Sequence, residues 1–107
     1  LAINELNIGK FYLKKHAPAS SIKRFKTILQ KYQNSSAIPE TLYRLTEALL
    51  MMGLKEEAIK SNALLNYNFP NSEWSNLSKD ILSNISSTSE KESFTSSIKN
   101  YFATIFD

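Results

Sequence analysis

The sequence predicts an all-α protein: two stacked helix-pair repeats, followed by further helices at the C-terminal end. Three observations lead there. Glycine and proline number only two and three in 107 residues, too few for the tight turns of a sheet of short strands. Apolar residues recur at intervals of three and four, the spacing of one helix face. One stretch of punctuation is also written twice. "KYQNSSAIPE" at 31–40 is echoed by "NYNFPNSEWS" at 66–75, each with an aromatic residue, then Asn-Ser, then an apolar residue opening a new run.

Aligning Asn34-Ser35 with Asn71-Ser72 sets an offset of 37 residues. The same offset superposes Ile8 on Leu45, Tyr12 on Leu49, Leu13 on Leu50, Ser21 on Ala58, Ile22 on Ile59, Ile28 on Leu65 and Tyr32 on Phe69. Periods of about 20–50 residues mark stacked supersecondary units, and two helices with two turns fit this one. The expected organisation is one repeat over 1–36, a second over 37–70, a covering helix over 71–85, and a Ser-rich connector with a C-terminal amphipathic helix over 86–107.

Each element follows from its residues. "LAINELNIGKFYL" reads as the body of a first helix. His16 then stands where Gly53 stands in the second unit, a position suited to the left-handed conformation that closes a helix. Histidine is among the non-glycine residues enriched there, so His16 is read as a turn residue and not as a catalyst. Pro18 opens the second helix, where a missing N–H costs nothing. That helix carries Ile22, Phe25, Leu29 and Tyr32 on one stripe, with Lys23, Lys26 and Gln30 off it. Pro39 opens the third helix, whose stripe is Leu42, Leu45, Leu49 and Met52; Met51 and Met52 are expected to fill core gaps. Ser72 is a candidate N-cap for a helix striped with Trp74, Leu77, Ile81 and Ile85. After "SNISSTSEKES", Phe94, Ile98, Phe102 and Ile105 form a last amphipathic stripe, read either as a cap on the repeats or as a partner-binding arm.

Composition narrows the function classes. Hydrophobic residues make up 42% and charged residues 21%, ordinary for one small globular domain. Cysteine is absent, which removes disulfides and thiolate metal sites, and one histidine is too few for a histidine-based metal site. No nucleophile, base and orienting group can be assembled from these residues, so no catalytic site, metal or cofactor is expected. The longest apolar run, "ALLMMGL", falls far short of the ~20 residues a membrane-spanning helix needs. Leu1 is not an initiator methionine and opens directly into a helical pattern, which suggests a piece of a longer protein. Charge is uneven: residues 1–33 hold seven Lys or Arg against Glu5 alone, a local balance of +6, and with +3 overall the remainder carries −3. Such a surface suits an acidic partner, a phosphate polymer or anionic lipid, and it can equally be a solvated helix face.

Ile8-Gly9-x-x-Tyr12, Ser21-x-x-x-Phe25-x-x-Ile28 and Gln33 together resemble the tetratricopeptide repeat. The second unit offers Leu45-Thr46-x-x-Leu49, Ala58-x-x-x-Asn62-x-x-Leu65 and Pro70, departing from the pattern at Thr46 and Asn62. The stretch from "NIGKFYLKKHAP" through "PETLYRLTEALLMMGLKEEA" resembles more closely the C-terminal repeats of the BamD (ComL/YfiO) family, over roughly residues 5–76. That resemblance implies a lipoprotein at the periplasmic face of the Gram-negative outer membrane, serving the machinery that inserts β-barrel proteins. It also implies protein partners: a POTRA domain of the barrel-forming subunit and small accessory lipoproteins. Membrane association would then come only through a lipid anchor upstream of Leu1.

A solenoid of this kind binds; side chains spaced by a rigid scaffold supply its chemistry. Arg24 is the leading candidate for partner binding, because it matches the Arg of the family's "NRF" stretch and a guanidinium grips a carboxylate bidentately. Lys10, Lys14, Lys23 and Lys31 complete the candidate set, whose target is an acidic patch on the barrel subunit or on some other acidic protein. A nucleic-acid-binding role is the rival, using the same cations with Phe11, Tyr12 and Tyr32; those aromatics, however, fall at repeat core positions and no nucleic-acid-binding motif accompanies them. The two readings of the tail are separable. If the stripe from Phe94 to Ile105 is a cap, deleting 86–107 lowers the melting temperature and promotes association. If it is an arm, the melt is unchanged and one interaction disappears from pull-downs.

Overall fold

The computed structural model describes residues 1–85, with side chains described through Lys79; the connector and final stripe expected over 86–107 lie outside these residues. Five helices follow one another: α1 (Ala2–Lys14), α2 (Pro18–Lys31), α3 (Ile38–Met51), α4 (Lys55–Asn68) and α5 (Glu73–Ile85). The described residues contain no strand. The internal repeat is visible in the bounds themselves, since Pro18–Lys31 shifted by the repeat offset becomes Lys55–Asn68.

The duplicated punctuation builds duplicated turns. His16 has φ 58° and Gly53 φ 77°, and the two turns share one hydrogen-bond pattern. The amide of His16 donates to the Leu13 carbonyl at 3.0 Å, and that of Ala17 to Tyr12 at 2.9 Å. In the second unit Gly53 donates to Leu50 at 3.0 Å and Leu54 to Leu49 at 2.9 Å. These are paired closures of a Schellman type, which satisfy the last carbonyls of α1 and α3. At the opposite end the repeated Asn-Ser is explained by its serine. Ser35 Oγ accepts the Ala37 amide at 3.0 Å, and Ser72 Oγ accepts the Trp74 amide at 3.1 Å, so each hydroxyl turns the chain into the next helix.

Inside the first pair, Phe25 packs directly against Gly9. A β-carbon on Gly9 would lie 2.3 Å from Phe25 Cε1, so only glycine lets the two helices approach this closely. The Ser21 hydroxyl donates to the Gly9 carbonyl at 2.8 Å and ties the same point of α1 to α2. The second pair solves the same problem with the sizes exchanged. Thr46 stands in place of Gly9 and Asn62 in place of Phe25, and both are fully buried. The Thr46 hydroxyl donates to the Leu42 carbonyl at 2.9 Å and bonds Ser61 at 3.1 Å, while Asn62 Nδ2 donates to the Ser78 carbonyl at 3.3 Å. Thr46 is thus accommodated within its own pair, and Asn62 turns to α5.

One core runs through α1 to α4, with Leu6, Phe25, Ile28, Leu29, Ile38, Leu42, Leu45, Leu49, Leu64 and Leu65 buried in it. Two expectations need correction. Met51 and Met52 do not fill core gaps; they remain 46% and 45% exposed, because Met51 opens on a cleft between α3 and α1 and Met52 is the C-cap residue of α3, just before the turn at Gly53. One residue of the stripe assigned to α5 is also displaced, while Trp74 packs on the core as expected. Leu77 is 54% exposed, and Ser75 and Ser78 face inward in its stead, because α4 presents Asn62 and Asn66 at this seam and these require hydroxyl partners.

Gly9→Ala is expected to destabilise the protein by about 1–2 kcal/mol, the strain of an overpacked core less the gain in helix propensity. In a Phe25→Leu background the same substitution should cost far less. Urea unfolding of the four variants checks this, and an equal cost in both backgrounds contradicts the Gly9–Phe25 account.

Candidate functional site

The order of packing defines two sides. α3 touches both α1 and α5, whereas α2 and α4 do not touch each other. Helices α1, α3 and α5 therefore line the inner, concave side, and α2 and α4 form the outer one. The candidate cations divide accordingly: Lys10 and Lys14 lie on α1, and Lys23, Arg24 and Lys31 on α2. The sequence grouped these five residues; the fold places them on two different helices.

On the inner side, Lys10 Nζ donates to Glu40 Oε2 at 2.9 Å, joining the first helix of one pair to the first helix of the next. Arg44 donates from Nε to the same Glu40 oxygen at 3.3 Å and from Nη1 to Glu47 Oε1 at 3.0 Å. Its guanidinium also lies 5.4 Å from the centre of the Tyr43 ring and 5.3 Å from that of Trp74, and those two rings are 5.4 Å apart. Burial on its own would lower the Arg44 pKa. The hydrogen bonds and charges of Glu47 and then Glu40 outweigh it, and the pKa lies above the ordinary arginine value. Beside this network an open cleft of about 310 Å³ separates α1 from α3, lined by Lys10, Leu13, Lys14, His16, Arg44, Glu47 and Met51.

On the outer side, Arg24 Nη1 reaches both carboxylate oxygens of Glu5, at 3.3 and 3.1 Å. Both bonds use the same nitrogen, so Nε and Nη2 make no hydrogen bond among the described residues. The Arg24 side chain is 42% exposed, and a pair so wet contributes no more than about 1 kcal/mol. Lys23 and Lys31 are exposed and form no ion pair among the described residues. Lys31 borders an open hollow of about 480 Å³, formed with the start of α1 and the turn after α2. Arg24 and Lys31, seven residues or two helical turns apart, share one face of α2.

The residues that sequence reasoning missed are Glu40, Tyr43, Arg44, Glu47 and Trp74. The spacing of Glu40, Arg44 and Glu47 at i, i+4 and i+7 was a legible signal of a charged helix edge. Nothing in the sequence brought Trp74 to Arg44, because that contact joins two helices. Among the described residues no group of His, Cys, Asp or Glu side chains is arranged to hold a metal ion, and no helix is long and apolar enough to cross a membrane.

Helix pairs stacked at a fixed offset, closed by paired left-handed turns and carrying charged inner and outer faces, make this a tetratricopeptide-like α-solenoid. Residues 1–65 match the YfiO outer membrane lipoprotein family, and the chain belongs to that family, the BamD family. It is 47% identical over 74 residues to the outer membrane protein assembly factor BamD of Rickettsia prowazekii, covering 69% of this chain and 30% of the relative. Identity to the assembly factor BamD of Caulobacter vibrioides is 46% over 74 residues, covering 69% of this chain and 24% of that protein. The BamD of Neisseria meningitidis is 30% identical over 69 residues, covering 64% of this chain and 26% of the relative. The chain thus spans less than a third of the curated relatives it matches. No solved structure matches it significantly.

Trp74→Ala is expected to destabilise the fold by about 2 kcal/mol, below the usual cost for a fully buried Trp because this ring is only partly covered. Trp74→Phe, which keeps a ring over Arg44, should recover most of that loss. Thermal melts of both variants provide the check, and equal losses would mean that the Arg44 contact contributes nothing.

Proposed function

We propose that this protein is a non-enzymatic protein–protein interaction scaffold of the outer-membrane β-barrel assembly machinery, working at the periplasmic face of the outer membrane. It docks a POTRA domain of the barrel-forming subunit, with small accessory lipoproteins as further partners. The family supports the setting, since the relatives bear the name outer membrane protein assembly factor. The observation that carries the docking role is the outer edge of α2. There Arg24 engages Glu5 through one nitrogen only, with exposed Lys31 two turns away and exposed Lys23 beside it.

Such an edge is arranged to meet carboxylates. Arg24 already holds one in a solvated pair that costs little to rearrange, and its remaining donors are available to a second. Lys23 and Lys31 supply longer-range attraction, which acts mainly on the rate of encounter and weakens with salt. Lys10 and Lys14, on the inner side, belong to the same basic unit and extend its field towards the cleft between α1 and α3.

Arg24→Glu is expected to weaken the complex with the barrel subunit's periplasmic domain by about 2–5 kcal/mol, leaving one partner carboxylate unpaired and another repelled. Lys23→Ala and Lys31→Ala should mainly slow association. Isothermal titration and stopped-flow binding measure the two effects, with circular dichroism as the control for fold. Affinity unchanged by Arg24→Glu would remove Arg24 from the interface.

A further inference from the structure

The docking edge on α2 leaves the cleft on the other side of the first unit unused. One wall is α1, with Lys10, Leu13 and Lys14; the other is α3, with Arg44, Glu47 and Met51. Its apolar floor and its charges point to one kind of occupant.

Leu13 is partly buried against the core and Met51 is 46% exposed, so two flexible apolar side chains face each other across the opening. Met51 is one of the two methionines expected to fill core gaps, and the fold turns it outward. A thioether held at a cleft wall adapts its shape to an incoming side chain. At about 310 Å³ the cleft lies at the small end of ligand-binding pockets, with room for one or two side chains.

The charges are unequal in their freedom. Lys10 is held by Glu40, and Arg44 by Glu40 and Glu47 together, so the acids of this face are already engaged. Lys14, exposed at the mouth, makes no ion pair among the described residues. A carboxylate entering beside an apolar group would therefore meet an uncompensated ammonium, with Lys10 within the same cleft as a second donor. A basic ligand would meet Lys14 as a like charge.

We propose that this cleft is a second protein-interaction site, which takes an acidic peptide segment by seating one aliphatic side chain between Leu13 and Met51 and placing a neighbouring carboxylate on Lys14. This goes beyond the docking edge on α2 and uses none of its residues. It gives the scaffold two independent contacts, one on each side of the first helix pair.

The test titrates the ¹⁵N-labelled protein with three blocked pentapeptides, one with leucine between flanking glutamates, one with serine in place of the leucine, and one with lysine in place of the glutamates. The expected result is saturable amide shifts at Lys10, Leu13, Lys14 and Met51 with the first peptide only. Lys14→Glu should weaken that binding roughly tenfold, and Met51→Ser should weaken it comparably. Arg24→Glu should leave it unchanged, which separates this site from the docking edge. Absence of saturable shifts overturns the proposal, as do shifts that map elsewhere or are equal for the leucine and serine peptides. Loss of peptide binding in Arg24→Glu overturns the independence of the two sites. Sedimentation with phosphatidylglycerol vesicles through Lys14 and Met51, without peptide binding, also overturns the proposal and assigns the cleft to lipid.

Discussion

Phe25 rests on Gly9 with no room for even a methyl group between them, and the first helix pair takes its geometry from that contact. The close approach brings the Ser21 hydroxyl onto the Gly9 carbonyl and sets the angle at which α2 leaves α1. It thereby positions the Arg24–Glu5 pair, which spans the same two helices, and the face that α2 offers to α3. Phe25, Leu29, Ile38 and Leu42 then share one dry core, each fully buried aliphatic or aromatic side chain contributing about 1.5–3 kcal/mol. Of the two proposed surfaces, the docking edge thus lies on this pair, and the cleft takes one wall from it and the other from α3.

The next seam follows the same plan with different chemistry. At the repeat offset, Phe25, Leu29, Ile38 and Thr41 become Asn62, Asn66, Ser75 and Ser78, so the joint between α4 and α5 is polar where that between α2 and α3 is apolar. Asn66 Nδ2 bonds Ser78 Oγ at 3.3 Å, and Ser75 donates to Asn66 Oδ1. Asn62 Oδ1 is buried without a partner among the described residues, a cost of about 1–3 kcal/mol. Such a joint specifies orientation while adding little net stability, and α5 depends more on Trp74 against Tyr43 and Arg44. Over the described side chains, α5 is therefore expected to be held less firmly than α1 to α4 hold one another.

Much of this was legible in the sequence because it is local or periodic. The turns at His16 and Gly53, Pro18 at the head of α2, and the role of Ser72 each depend on a few neighbouring residues. The offset of the repeat also predicted which helices are equivalent. It did not predict exposure. Ile8 superposes on the buried Leu45 yet is 37% exposed, because Leu45 has the first unit packed against it and Ile8 has no counterpart among the described residues. Met52 departs from its stripe because it is the C-cap residue of α3, where the chain turns away at Gly53. The candidate cations were read from the charge distribution, and Arg24 also from the family's "NRF" stretch; neither says anything of Glu5 reaching Arg24 or Glu40 reaching Lys10 across 19 and 30 residues of chain. Those pairings, and the Arg44–Trp74 stack, exist only once the helices are packed.

If stability is concentrated in the dry first seam and falls off across the polar second one, native-state hydrogen exchange reads this directly. The amides of Phe25, Leu29 and Leu42 should exchange only through global unfolding, at the free energy given by denaturant melts. Those of Ser78 and Lys79 in α5 should exchange through a smaller opening, lower by about 2 kcal/mol or more. Uniform protection from α2 through α5 would contradict the account.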